Sequence, residues 1–230
     1  MVGQQGHILF YDGRQWREAA SPLIHRDRVN VYDGDLNDVF MLSKNSGWAV
    51  GRDGIIVRYH LGKWERFSSP TQNKLFRVAF ADENNGWAVG EKGTIIRWNG
   101  SSWNPEKVDS REVLNSLKVL DQKNVWVVGN SSTLLHFDGT AWRKDESVTV
   151  YDDAFSDIDI IRDDKGALHF WIIGNQGIYT TSNSTGFSFT DITAQASLRR
   201  TGRGGIFFKR SDEKIPDLLV LNEGGVNLLY

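Results

Sequence analysis

Cysteine is absent from all 230 residues, which removes disulfides, thiolate metal sites and cysteine nucleophiles together. No apolar run approaches the roughly 18 to 20 residues that span a bilayer, and the first residues are polar and glycine-rich where a leader would carry charge followed by an apolar core. No membrane insertion by this segment is expected. Charge of one sign is lacking too: 27 Lys and Arg stand against 29 Asp and Glu, a net charge of -2. Nucleic acid usually requires a basic stripe or tail, so it is not an expected partner. No Gly-x-Ser-x-Gly, phosphate loop or dinucleotide fingerprint occurs, and His7, His25, His60, His136 and His169 have no metal spacing. No catalytic group, cofactor or metal is expected.

What the chain does carry is a repeated phrase: Gly-Trp-Ala-Val-Gly at 47–51 and again at 86–90, then Val-Trp-Val-Val-Gly at 125–129. One such unit cannot bury its own apolar face and must stack on neighbours. With the last Gly of the phrase as a ruler, the copies fall at Gly3, Gly51, Gly90, Gly129 and Gly174, with Asn222 in the equivalent place. A second small residue follows three positions later at Gly6, Gly54, Gly93, Ser132, Gly177 and Gly225, suiting a tight turn with positive φ.

Between these marks, apolar or alternating runs have strand length and no stretch sustains a helical period. Each unit reads as strand A (36–42, 75–81, 115–120), B (48–50, 87–89, 125–128), C (55–59, 94–98, 133–137) and D around Trp64, Trp103 and Trp142. Four antiparallel strands in roughly 40 residues make a propeller blade, so the expected fold is an all-β propeller of about six blades. The first unit lacks strand A and the last lacks D, so both end blades are expected to be incomplete and the chain a piece of a longer one. Trp48, Trp87, Trp126 and Trp171 on B, and Trp16, Trp64, Trp103 and Trp142 on D, are expected to wedge between blades; Trp98 falls outside this scheme. His60 and His136 are expected at equivalent strand C positions.

Asn124-Val125-Trp126-Val127-Val128-Gly129 followed by Leu135-His136-Phe137-Asp138-Gly139-Thr140-Ala141-Trp142, and Gly90-Glu91-Lys92-Gly93-Thr94-Ile95-Ile96-Arg97-Trp98-Asn99-Gly100, resemble bacterial BNR-like repeats. These are related to photosystem II assembly-factor propellers and, more distantly, to sialidase Asp-box repeats. The adjacency of Asp12 to Gly13 and of Asp138 to Gly139, with Phe10 and His136 where an Asp-box has Ser or Thr, departs from the sialidase pattern. Beyond residue 150 the text changes. Phe155-Ser156-Asp157-Ile158-Asp159, Phe170-Trp171-Ile172-Ile173-Gly174-Asn175-Gln176-Gly177-Ile178-Tyr179 and Asp217-Leu218-Leu219-Val220-Leu221-Asn222-Glu223-Gly224-Gly225 resemble FG-GAP/VCBS repeats of the ASPIC/UnbV kind. That resemblance implies calcium loops, but 162–166 and 210–214 put Lys or Arg among the expected ligands, which opposes a cation. The organisation expected is one propeller over 1–230, BNR-like over 1–148 and FG-GAP-like over 155–230.

Repeats without an active-site constellation point to a non-catalytic binding or scaffold module of an exported or cell-surface protein. A carbohydrate-active enzyme or lectin of the Asp-box kind, and an assembly factor, are the alternatives. Binding is expected on the rim formed by the D-to-A and B-to-C connections, through His25, Arg28, Tyr32, Tyr151, Asp152, Arg199, Arg200 and Arg203, with a protein or carbohydrate as partner.

Overall fold

The computed structural model describes residues 1–24, 34–148, 150–163 and 165–181, and the backbone of 189–191, 202–208, 217–222 and 225–229. Two compact units divide the chain, Met1–Val113 and Leu114–Tyr230.

The first unit opens with a two-stranded sheet, β1 (Leu9–Tyr11) and β2 (Trp16–Glu18), to whose inner edge Val2 adds only an isolated bridge at Ile8. Two four-stranded sheets follow: β3 (Leu36–Ser43), β4 (Ser46–Gly51), β5 (Ile56–His60) and β6 (Lys63–Phe67), then β7 (Leu75–Asp82), β8 (Asn85–Gly90), β9 (Ile95–Trp98) and β10 (Trp103–Pro105). The second unit holds β11 (Leu114–Asp121), β12 (Asn124–Gly129), β13 (Thr133–Phe137) and β14 (Trp142–Lys144). Next come β15 (Phe155–Arg162), β16 (Leu168–Gly174), β17 (Ile178–Thr181) and β18 (Phe189–Asp191), and last a three-stranded sheet of β19 (Gly202–Phe208), β20 (Asp217–Asn222) and β21 (Gly225–Leu229). Every sheet is antiparallel and its strand order follows the chain, the A-B-C-D order of propeller blades. Helix among the described residues is limited to three single 3-10 turns, Gln4–Gly6, Arg52–Gly54 and Glu91–Gly93, each joining B to C.

The repeated phrase becomes strand B, second from the inner edge of the blade and covered on both faces. That is why Trp48, Ala49 and Val50, or Trp87, Ala88 and Val89, run apolar without alternation and are all buried. Its turn needs the left-handed backbone: Gly54 has φ +70, and a Cβ there would stand 2.0 Å from the Thr71 carbonyl oxygen of the D-to-A connection. Ser132 adopts the same region at φ 51. Its N–H donates to the Asp153 carbonyl at 2.6 Å and its Oγ accepts from the Asp153 N–H at 2.9 Å, which ties the turn to the chain it crosses.

Adjacent A strands are clamped by side chains. Asn37 Nδ2 donates to the Leu75 carbonyl (2.6 Å) and Asp38 Oδ2 accepts from the Val78 N–H (2.9 Å). In the second unit Asn115 Nδ2 donates to the Phe155 carbonyl (2.8 Å) and Ser116 Oγ to Asp157 Oδ1 (2.6 Å). Aromatic rings fill the rest of the seam: Trp48 of β4 lies 4.7, 5.5 and 6.0 Å from Trp98, Trp103 and Phe80 of the next blade, centroid to centroid. Trp126 meets Phe170 edge-on at 4.8 Å in the same way. Trp48 and Trp126 are therefore wedges of the kind their spacing predicts.

Two expectations need correction. His60 and His136 are out of step: His60 pairs with Ser46, whereas His136 pairs with Trp126, as Arg58 does with Trp48 and Arg97 with Trp87. The two turns are equal in length, since Val50 pairs with Ile56 as Val128 does with Leu134, but His60 stands nine positions after Gly51 and His136 seven after Gly129. Trp98 is also not an outlier. It pairs with Trp103 as Tyr11 pairs with Trp16, Tyr59 with Trp64 and Phe137 with Trp142. Each blade of this group thus carries an aromatic pair across its C–D hairpin.

Candidate binding cleft

In three of these four blades the C–D hairpin is a four-residue loop closed by its first side chain; in the other, His60 pairs with Lys63 around Leu61 and Gly62. Asp12 Oδ1 accepts from the N–H groups of Arg14 and Gln15 at 2.9 Å each. Asn99 does the same for Ser101 and Ser102 (3.0 and 2.9 Å), and Asp138 for Thr140 and Ala141 (2.9 and 3.0 Å). Asp12 also bonds Arg17, and Asp138 bonds Arg143. The N–H groups of Gln15, then Arg17 and Arg14, hold the Asp12 carboxyl below its ordinary pKa. These two Asp-Gly carboxylates are thus engaged in building their turns.

The loop fixes an aromatic residue at each end, and the ring geometry barely changes along the chain. Centroids are 5.6 Å apart in Tyr11–Trp16, 5.1 Å in Tyr59–Trp64, 5.9 Å in Trp98–Trp103 and 5.3 Å in Phe137–Trp142. Surroundings change greatly. Trp98 and Trp103 are 2% and 4% exposed, whereas Tyr11 and Trp16 are 55% and 56% exposed, beside exposed Phe10 and Met41. Between the β1–β2 sheet and the β3–β6 blade these side chains line a cleft of about 640 Å³, with Tyr59, Trp64, Ala19 and Lys44 on its walls. Its inner end is closed by packing among Ile8, Leu36, Ala49 and Val57. Glu18, also on the wall, is held by His7 Nδ1 at 2.6 Å.

Of the residues expected to bind, His25, Arg28 and Tyr32 in one connection, and Arg199 and Arg200 in another, lie outside the described residues. Arg203 falls within strand β19 and not in a loop. Tyr151 is 91% exposed, the most open of the large hydrophobic side chains described. Asp152 beside it is exposed with φ 51, and its carbonyl accepts from Gln176 Nε2 at 3.0 Å. The next carboxylate, Asp153, is fully buried: it accepts from Tyr179 Oη at 2.8 Å and from the Gln176 N–H, a structural role.

The 162–166 connection is a hairpin turn built on Asp163. Its Oδ1 accepts from the N–H groups of Lys165 (2.9 Å) and Ala167 (2.8 Å), and its Oδ2 meets His169 Nε2 at 3.1 Å. Both oxygens of that carboxylate are thus engaged within the turn. Among the described residues no group of three or more His, Asp or Glu is placed to hold a metal ion. The 210–214 loop lies outside the described residues.

The cleft went unanticipated, although a signal for it stood in the text. An aromatic residue recurs five positions before each D-strand tryptophan, at Tyr11, Tyr59, Trp98 and Phe137. The cleft mouth reaches Lys44 and Gly62, in the A–B and C–D turns, and so lies at the opposite end of the blade from the D-to-A and B-to-C connections.

No protein-family model matches this chain, and no curated protein matches it. Solved structures do. The WD40 β-propeller domain of Doa1 is 14% identical, covers 99% of this chain and 87% of its own, and has a TM-score of 0.56. The extracellular domain of a putative hybrid two-component system from B. thetaiotaomicron is 15% identical, covering 99% of this chain and 31% of that one at a TM-score of 0.67. YCF48, solved with a D1 peptide bound, is 17% identical and covers 84% of this chain and 64% of its own, with a TM-score of 0.61. The chain thus spans less than two thirds of YCF48 and about a third of the two-component protein. These likenesses, joined to the four-stranded antiparallel sheets, make the fold an all-β propeller.

Proposed function

We propose that this chain is a non-catalytic propeller module of an extracytoplasmic protein and that it binds a segment of another protein. The observation that carries the reading is the cleft of Tyr11, Trp16, Tyr59, Trp64 and Met41, an aromatic surface left open where the seams around Trp48 and Trp126 are closed. Surfaces rich in Tyr, Trp and Met are the usual anchors of protein recognition. The D1 peptide bound by YCF48 and the extracellular setting of the two-component domain support the partner class and the compartment. One propeller over 1–230, with an FG-GAP-like C-terminal part, belongs to the same reading. So does a second contact at the rim, for which Tyr151 and Asp152 are described candidates and His25, Arg28, Tyr32, Arg199, Arg200 and Arg203 are candidates from the sequence alone.

A lectin reading draws on the same exposed rings, but Tyr11 and Trp16 are tilted by 50° to one another and give no flat two-ring platform for a sugar face. The test is a peptide library and a glycan array presented to the whole chain in parallel. Enrichment of peptides, lost in Trp16→Ala, is the expected result. Glycan retention without peptide enrichment, or turnover of a glycoside substrate, would overturn the reading.

A further inference from the structure

An asparagine followed by glycine is open to attack by its own chain, because glycine puts no side chain beside the attacking nitrogen and turns freely. The dipeptide occurs twice, at Asn85-Gly86 and Asn99-Gly100, and the two are held in opposite ways. Asn85 lies at the start of β8. Its Nδ2 donates to both oxygens of Asp82, at 3.0 and 3.1 Å, and its Oδ1 accepts from Arg97 Nη2 at 3.2 Å. Gly86 is buried between β7 and β9, paired with Phe80 on one side and Trp98 on the other, and a Cβ on it would stand 2.3 Å from the Phe80 ring. Amide and nitrogen cannot swing together there without opening the sheet.

Asn99 is the first residue of the exposed C–D loop 99–102, and only the oxygen of its amide is held. Oδ1 accepts from the Ser101 N–H (3.0 Å), the Ser102 N–H (2.9 Å) and Ser101 Oγ (2.9 Å). Its Nδ2 and the Gly100 N–H make no hydrogen bond among the described residues. Three donors on one carbonyl oxygen draw electron density from Cγ and stand where negative charge gathers when a nucleophile adds to that carbon. The attacking nitrogen and the leaving nitrogen are both free, and the oxygen between them is already clamped.

We propose that Asn99 is a site of self-modification: its folded loop promotes deamidation through the Gly100 nitrogen, while the sheet protects Asn85. Hydroxide takes the Gly100 N–H proton, the nitrogen bonds to Asn99 Cγ, the Cγ–Nδ2 bond breaks, and Nδ2 leaves as ammonia with a proton returned by water. The five-membered succinimide then takes up one water. Opening at Cγ leaves aspartate; opening at the main-chain carbonyl leaves isoaspartate, whose backbone runs through its side chain. The other blades show what each product meets. Asp12 and Asp138 close the same loop with a carboxylate, so aspartate at 99 keeps the turn. Those carboxylates also bond Arg17 and Arg143, and the equivalent residue of this blade is Asn104, whose Nδ2 donates to Ser102. The new charge therefore lacks the arginine that its counterparts have. Isoaspartate lengthens the loop that holds Trp98 and Trp103 at 5.9 Å, and so loosens β10.

The test incubates the whole chain in warm, mildly alkaline buffer, with and without urea, and follows the peptides holding Asn85 and Asn99 by mass spectrometry, with isoaspartate scored by enzymatic methylation. In the folded chain Asn99 is expected to convert about tenfold or more faster than Asn85, which reacts only through opening of the sheet. Urea is expected to raise the rate at Asn85 towards that at Asn99 and to give no acceleration at Asn99. Ser101→Ala, which removes one of the three donors, is expected to slow conversion at Asn99 several-fold with an unchanged circular dichroism spectrum. Asn99→Asp is expected to keep the spectrum and unfolding midpoint of the parent. Equal rates at the two sites in the folded chain, or a rate at Asn99 that rises in urea, would overturn the proposal. Full conversion speed in Ser101→Ala would overturn the part given to the clamped oxygen.

Discussion

Two seams in the first unit are built to one plan and end differently. The seam between β3–β6 and β7–β10 is closed by a cluster around Trp48, in which Phe80, Trp98 and Trp103 are buried. The seam between β1–β2 and β3–β6 is closed only at its inner end, by Ile8, Leu36, Ala49 and Val57, and its outer half is open. The C–D aromatic pairs are almost superposable in spacing, 5.9 Å in the closed seam and 5.6 Å in the open one. An aromatic side chain in this repeat is therefore neither core nor surface by type. What decides is whether a B-strand ring from the neighbouring sheet reaches it.

The contrast is broken most directly by removing the ring that closes the seam. Trp48→Ala should cost about 3–5 kcal/mol, the range for a large aromatic lost from a packed core, while Trp16→Ala in the open seam should stay within about 0.5 kcal/mol. Urea unfolding of the two variants measures both. Comparable losses would mean that the open cleft contributes to stability as the closed seam does.

Backbone turns sharpen the comparison next. Gly54 and Gly62 both lie at positive φ, but a Cβ at Gly54 would collide with the Thr71 carbonyl oxygen while one at Gly62 meets nothing within 4 Å. Gly54→Ala should cost about 3 kcal/mol or more through clash added to strain. Gly62→Ala, at the cleft mouth, should cost about 1–2 kcal/mol from backbone strain alone. Denaturation midpoints at equal slope check the order, and a reversal would contradict the packing described.

The smallest expected effect is one of pH, in the second unit. His136 stacks on Trp126 at 4.0 Å and 14°, in the place that Arg58 holds over Trp48. Burial lowers its pKa from the ordinary 6.5 and outweighs the raising effect of Asp145. The unfolded chain therefore binds the proton more readily, so the contribution of neutral His136 is complete above about pH 6.5 and is lost as pH falls below it. His136→Phe should flatten the stability–pH slope below about pH 6.5, read from thermal melts. A slope unchanged by the substitution would contradict the burial argument.

Strands and turns were legible because they repeat. Gly51, Gly90 and Gly129 set the ruler, and β3–β14 fall within a residue or two of the runs it marks. Position within the C strand was less legible. His60 and His136 read alike as strand C histidines, but they stand nine and seven positions after Gly51 and Gly129, and cross-strand pairing separates them. Least legible was the cleft. Tyr59 and Trp64 read the same whether or not an indole comes to lie on them, and that depends on a neighbouring strand. Loops carry function in many folds, which favours the rim residues on sequence grounds. The exposed aromatic surface instead comes from paired strands, whose alternation looks like ordinary packing.

That one kind of ring pair is core in the closed seam and surface in the open one is tested by acrylamide quenching of tryptophan fluorescence in Trp16→Phe and Trp103→Phe. Trp16 is 56% exposed and Trp103 is 4% exposed, so Trp16→Phe should leave the remaining emission less quenched and Trp103→Phe should leave it more quenched. Equal quenching in the two variants would overturn the contrast.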